Sequence, residues 1–351
     1  MKVALITPSN ISHMPYVKNY IDILTKTDTE FEIYNWDRLH IETNNNNTYK
    51  DKKISIKKSF LDYYFYSRFL KKKMIENKYD IVIIFGLQLA FFLSTTIKTK
   101  YKKKFILDIR DKNPIIHFMN LNKLIKYSAC TIISSEKYKD WLPQSNYKIN
   151  HNTSLGVITT EIPKLKKHEL VYNKPLNIMT IGTIRDYEIN EKLIKSLSNN
   201  ENYKIGYIGD GNVAKRLEDF CIQNDTENVY FKGRYKSSDE KTIIDQADIV
   251  SVLRYNDSEN NRTALPNRLY SALQSGKILL AYKGTYLSDL ISKYNLGLVI
   301  DNFEDIDNKI DLYIKNFEYD NYKKGRDLFL KRVVNENYEY ICTIQEVLKE
   351  E

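Results

Sequence analysis

From its first residues the chain alternates short apolar runs with stretches that carry apolar side chains at helical spacing. Residues 3–7, 31–35, 54–56, 81–85, 105–107, 131–134 and 147–149 predict strands. Between them, residues 16–24, 61–75, 89–98, 121–128 and 136–142 predict helices. Alternation of this kind predicts a parallel sheet wrapped by helices, because parallel strands need crossover connections. A second series begins after the charged segment from Pro163 to Pro175, which predicts an interdomain connector. Its strands are predicted at 178–181, 205–208, 229–232, 249–253, 278–281 and 297–300, and its helices at 191–197, 212–223, 240–246, 267–275 and 287–294. Two further helices are predicted over 319–332 and 337–349. The expectation is an α/β protein of two Rossmann-like domains, residues 1–162 and 163–334, with a helix over 335–351 packing back on the first. Ligands of such sheets bind beyond the carboxyl ends of the strands, so the expected site lies in a cleft between two facing sheets.

Composition narrows the class. At 351 residues the chain is long enough for two full cores, and its 42% apolar content with only 11 glycines and 7 prolines argues against disorder. Cys130, Cys221 and Cys342 lie far apart without a Cys-x-x-Cys spacing, which supports neither a disulfide framework nor a zinc knuckle. The opening apolar run is too short for a signal peptide, and the most hydrophobic stretch, residues 81–97, is interrupted by Gly86 and Gln88. It also falls short of the ~20 apolar residues that span a bilayer, so a cytoplasmic location is expected.

The net charge of +9 is uneven: residues 1–160 carry +12 and the remainder −3. Clusters at Lys57-Lys58, Lys71-Lys72-Lys73 and Lys102-Lys103-Lys104 would draw the first domain to an anionic surface. The expectation is a peripheral position on the inner leaflet of the plasma membrane. Nucleic acid is not expected as a partner, since no recognition motif accompanies the basic residues.

The most specific segment runs from Thr263 through Leu265-Pro266-Asn267-Arg268 and Ser271 to Gly276-Lys277. Pro266 suits the first turn of a helix and Gly276 its exit. This run resembles the donor-binding helix of bacterial family 4 glycosyltransferases of the GT-B architecture, in which proline, asparagine and a basic residue open a helix that ends before a strand. Other segments are similar to the same family in the same order. Ile181-Gly182-Thr183-Ile184-Arg185 matches its glycine turn, Gly209-Asp210-Gly211 follows the second strand of the donor domain, and Asp108-Ile109-Arg110-Asp111 resembles the Asp-x-Arg-Asp segment of capsule and exopolysaccharide enzymes.

The resemblance implies an enzyme that moves a sugar from a nucleotide donor to a glycan or lipid-linked acceptor, with retention at the anomeric carbon. It implies donor contacts at Gly182, Thr183, Arg185, Gly209, Arg254, Thr263, Leu265, Asn267, Arg268 and Ser271. The start of the helix would face the diphosphate, as free amide groups favour anions. Arg185, Arg254 and Arg268 would neutralise the phosphates, so no metal and no other cofactor is expected. Asp111, held ionised by Arg110, is expected to serve the acceptor together with His13, which lies in the loop after the first strand. The Asp305-x-Asp307 pair reads as surface charge at a helix start rather than a metal site, and residues 44–47 as a loop.

The chain departs from the family where two glutamates are usual. Thr263 and Ser271 occupy those positions, and the second of the two glutamates commonly holds the donor ribose. The departure leaves open a second reading, a non-catalytic subunit of the same architecture that binds glycan or stabilises a partner enzyme.

Overall fold

The computed structural model describes residues 1–43, 45–165 and 173–349, so most of the expected connector from Pro163 to Pro175 and Asn44 of the asparagine loop lie outside the described residues. The chain forms two compact units, Met1–Thr160 with Val333–Glu351, and Glu161–Arg332.

The first unit runs β1 (Lys2–Ile6), α1 (Val17–Lys26), β2 (Glu30–Trp36), β3 (Thr48–Tyr49), α2 (Phe60–Asn77), β4 (Ile81–Phe85), α3 (Leu87–Phe92), α4 (Ser94–Thr99), β5 (Phe105–Ile109), α5 (Leu121–Tyr127), β6 (Cys130–Ile133) and β7 (Tyr147–Ile149). Its seven strands are ordered β3-β2-β1-β4-β5-β6-β7, and every pairing is parallel. β4 is buried along its whole length, which is why its sequence is a continuous apolar run and not an alternating one.

The second unit runs β8 (Leu176–Thr183), α6 (Tyr187–Leu197), β9 (Tyr203–Asp210), α7 (Ala214–Gln223), β10 (Val229–Lys232), α8 (Glu240–Asp245), β11 (Ile249–Ser251), α9 (Glu259–Thr263), α10 (Asn267–Gln274), β12 (Ile278–Tyr282), α11 (Tyr286–Lys293), β13 (Gly297–Ile300) and α12 (Ile306–Lys315). The strand order β10-β9-β8-β11-β12-β13, again all parallel, reverses direction between β8 and β11. In sheets of this order the connections depart to opposite sides at such a reversal, which is where ligands bind. Ile178, Ile205, Ile249, Ile278 and Leu280 of the sheet share a core with Leu193, Leu197, Leu217 and Ile310 of the helices.

Four sequence expectations change. Residues 54–56 are not a strand: Ile54 and Ile56 are 64% and 61% exposed, and Thr48–Tyr49 takes the edge beside β2 instead. Lysines on both sides of that run leave it no face to bury. The helix expected over 89–98 breaks at Leu93 into α3 and α4, within a stretch whose serine and threonines are weak helix formers. The helix expected over 136–142 is a 3-10 turn at Glu136–Asp140. The two C-terminal helices are one, α13 (Tyr319–Val347), whose residues up to Arg332 belong to the second unit and the rest to the first.

In the first unit, Tyr340 and Ile344 of α13 pack with Tyr20, Phe85 and Ile132. In the second, the buried Arg326 of α13 donates from Nε to the carbonyl of Leu273 at 2.5 Å and from Nη2 to that of Gln274 at 3.3 Å. A cation on these last carbonyls caps the end of α10 and fixes its direction.

The strand-to-helix turns of the second unit depend on glycine. Gly182 has φ +90° and Gly209 φ +133°, and a Cβ on Gly209 would lie 2.0 Å from the carbonyl oxygen of Gly182. Gly209→Ala is therefore expected to destabilise the protein by at least ~1–3 kcal/mol, since both the conformation and the close approach are lost. Gly233→Ala, where an added Cβ meets open space, is the control and should melt within a degree or two of the wild type.

Candidate functional site

Arg185 leaves the carboxyl end of β8 and Arg254 that of β11, so the two flank the point where the strand order reverses. Arg268 rises between them from the first turn of α10. Its Nη1 donates to the carbonyl of Ile181 at 3.3 Å, and Arg254 Nη1 donates to that of Ala264 at 3.5 Å. Burial, and then the positive charges of Arg254 and Arg185, push the Arg268 guanidinium down to about 10, below the ordinary arginine range. The buried Nε of Arg268 has no hydrogen-bond partner.

A buried donor without an acceptor is costly, and like charges brought together add to that cost. An anion in front of the three guanidinium groups removes both penalties. The start of α10 adds to the attraction, because its first turn carries no acidic residue and no side chain caps its amides. The helix begins at Asn267, with Pro266 one position earlier than expected, at the cap.

Beside the arginines lies a carboxylate that the sequence reading passed over. Glu240 opens α8 and accepts from Ser271 Oγ at 2.7 Å and from the Tyr235 hydroxyl at 3.4 Å. That hydroxyl would lie 3.8 Å from a Cβ on Gly182, so Tyr235 bridges the glycine turn and the carboxylate. Burial, and then Glu240, hold the Tyr235 phenol well above its usual range. Ser271 thus reaches a glutamate through its hydroxyl. Glu240 stands 31 residues away in sequence, and only the folding of α8 against α10 exposes the link.

The other residues expected at the donor site are placed as follows. Thr183 is exposed at the end of β8, and Gly209 is buried at the crossing with Gly182. Leu265 is buried just before Pro266, and Asn267 is exposed at the first position of α10. Thr263 is buried, and its hydroxyl donates to the carbonyl of Glu259 at 2.6 Å within α9.

In the first unit, Arg110 is only 8% exposed and serves as a hub, not as an open catalytic group. Its Nε and Nη2 donate to both oxygens of the fully buried Asp108, and Nη1 donates to the carbonyl of Asn150 at 2.9 Å and to Asn152 Oδ1 at 3.0 Å. The ring of Tyr16 lies 4.0 Å from the guanidinium carbon, and Tyr20 donates to Asp108 Oδ2 at 2.5 Å. Burial alone would lower the pKa of Arg110, but Asp108 outweighs it and holds the group above its usual range. The carboxylate that Arg110 grips is Asp108, inside the unit, and this corrects the expected pairing with Asp111. Asp111 itself is exposed after β5, and His13 is exposed in a 3-10 turn after β1.

Among the described residues no cluster of acidic, histidine and cysteine side chains is arranged to hold a metal ion. Asp305 and Asp307 open α12.

Residues 161–325 match the family model for glycosyl transferases group 1. Among solved structures the chain is similar to sucrose-phosphate synthase from Thermosynechococcus elongatus, with a TM-score of 0.70 at 11% identity over 99% of this chain and 97% of that one. It is also similar to HepE from Anabaena in complex with UDP and glucose, with a TM-score of 0.67 at 13% identity over 99% and 100% of the two chains. A third similar structure is WaaG, a glycosyltransferase involved in lipopolysaccharide biosynthesis, with a TM-score of 0.60 at 9% identity over the whole of both chains. These likenesses establish the GT-B fold. Among curated proteins none matches the sequence.

Arg268→Met should leave the unliganded protein within about 0.5 kcal/mol of wild-type stability, or above it, because it removes a buried like charge. The same variant should lose the rise in melting temperature that pyrophosphate gives the wild type. A thermal melt with and without pyrophosphate checks both.

Proposed function

We propose that the protein, whose residues 161–325 match the model for glycosyl transferases group 1, is a glycosyltransferase that takes its sugar from a nucleoside diphosphate held by Arg185, Arg254 and Arg268. The observation that carries this reading is the convergence of three guanidinium groups, one with an unpartnered buried Nε, at the crossing point of a parallel sheet. As the bond from the anomeric carbon to the diphosphate breaks, negative charge grows on the leaving oxygen. Arginines already in place stabilise that charge without reorganising. Their paired N–H groups match phosphate oxygens and supply the positive charge that a divalent cation supplies elsewhere, so transfer in this reading is metal-independent.

Glu240 completes the donor site. A carboxylate fixed by Ser271 and Tyr235 next to the arginines offers acceptor oxygens to vicinal hydroxyls, as on a ribose. HepE forms complexes with UDP and with UDP-glucose, which makes uridine diphosphate sugars the first donors to test. The acceptor in this reading is a glycan or a lipid-linked sugar of cell-surface polysaccharide synthesis, met by the first unit through Asp111 and His13. The resemblance to family 4 supports retention at the anomeric carbon. No helix among the described residues is long and apolar enough to cross a membrane, and the basic first half supports a peripheral position on the cytoplasmic face.

Incubation with a panel of nucleotide sugars should release nucleotide from at least one, with a rate unchanged by a chelator such as EDTA. If no donor is turned over and no nucleoside diphosphate raises the melting temperature, the reading fails; at one hundred times its Kd such a ligand adds about 2.7 kcal/mol. Glu240→Gln separates the two halves of the donor site. It should weaken UDP about tenfold, equal to about 1.4 kcal/mol, and leave pyrophosphate binding unchanged or stronger, as isothermal titration of both ligands would show.

A further inference from the structure

We propose that the loop over residues 52–58 and the outer face of α2 form a docking surface for an anionic lipid bilayer. The proposal rests on the peripheral placement given above and names the part of the molecule responsible for it.

Exposed apolar residues are ordinary when scattered, but here five of them fall within residues 54–65 and a sixth follows on α2. Ile54, Ile56, Phe60, Leu61, Phe65 and Ile75 are 64%, 61%, 58%, 64%, 53% and 58% exposed. On α2, Leu61, Phe65, Arg68, Lys72 and Ile75 recur at alternating spacings of four and three, which places them on one stripe. The opposite stripe, Tyr63, Tyr66, Ser67, Leu70 and Met74, is buried in the first unit. The start of α2 is therefore apolar on both sides, with one side in solvent, where an ordinary surface helix turns charged residues outward.

The charge around this stripe selects the partner. Residues 52–73 contain eight lysines and arginines against a single acid, Asp62. Asp62 is committed to the capping box with Ser59 at the start of α2. Lys58 is turned inward onto Asp51, and Lys72 reaches only the exposed Glu76, at 3.8 Å. Lys52, Lys53, Lys57 and Arg68 are exposed around the apolar residues. The ring of Phe60 sits 4.6 Å from that of Phe92, so the start of the helix is braced against α3. Aliphatic and aromatic tips ringed by cations suit a headgroup layer, where the tips enter the acyl boundary and the cations meet lipid phosphates. Few uncharged polar side chains stand among them to give the directional hydrogen bonds of a protein interface.

The test is co-sedimentation of the full chain with vesicles of phosphatidylcholine alone and of phosphatidylcholine mixed with phosphatidylglycerol. The wild type is expected to partition onto the mixed vesicles at least ~10-fold better than onto the neutral ones, and high salt should reduce the difference. Leu61→Ser with Phe65→Ser, and separately Lys52→Gln, Lys53→Gln and Lys57→Gln together, should each lose about tenfold of that partition. Neither variant should change the melting temperature, because every substituted side chain is exposed. Ile222→Ser, 67% exposed in the second unit, should change nothing. Wild-type binding that both variants retain would overturn this surface while leaving the peripheral placement intact, and a wild type that ignores both vesicles would overturn the two together. Nucleotide release from the sugar donor, measured on the same samples without vesicles, should be equal in all of them, so failure of the docking surface is distinguishable from failure of the enzyme reading.

Discussion

Three positive charges held together at the carboxyl ends of β8 and β11 are the constraint on which the second unit is organised. A protein does not gather like charges and leave a buried guanidinium nitrogen without an acceptor for the sake of stability. The surrounding structure holds them in place. Gly182 and Gly209 let β8 and β9 end close together, Arg326 caps and orients α10, and the sheet order puts Arg185 and Arg254 on either side of its reversal. Each feature stabilises the fold locally, and together they maintain an arrangement that Asp186 and Tyr235 offset only in part, since the Arg268 guanidinium stays below its ordinary range.

The first unit shows the opposite use of the same residue. Arg110 is more deeply buried than Arg268, yet its charge is matched by the two oxygens of Asp108, by backbone and side-chain carbonyls, and by the face of Tyr16. Removing either partner of such a buried pair typically costs about 3–5 kcal/mol, which marks Arg110 and Asp108 as ties between β5, α1 and the end of β7. The charge of Arg110 is matched within the fold, whereas Arg268 lies among like charges with its buried Nε unpartnered. The contrast assigns the two a different role, Arg110 just after β5 and Arg268 in the first turn of α10.

Much of this was legible in the sequence, because strands buried on both faces are written as continuous apolar runs. Ile81–Phe85 and Ile278–Tyr282 could hardly be anything else. Residues 54–56 look similar in isolation but lie between lysines, and only the pairing of Thr48–Tyr49 with β2 shows that the sheet edge is already taken. Arg185 and Arg254 were visible as arginines near strand ends and Arg268 as a basic residue opening a helix, whereas their convergence is a property of strand order. Glu240 was invisible for a different reason. Ser271 and Glu240 share no local pattern, and their hydrogen bond exists because α8 and α10 meet beside the glycine turn. Arg110 was misread because its guanidinium turns back onto Asp108, inside the unit, and not onto the Asp111 that follows it in sequence.

The most direct measurement is a crystal structure of the protein with UDP at saturating concentration. The account predicts the diphosphate in front of α10, within hydrogen-bond distance of Arg268 Nε and between Arg185 and Arg254, with the ribose hydroxyls on Glu240. A diphosphate bound elsewhere, or a crevice filled by side chains with Arg268 Nε still unpartnered, would contradict it.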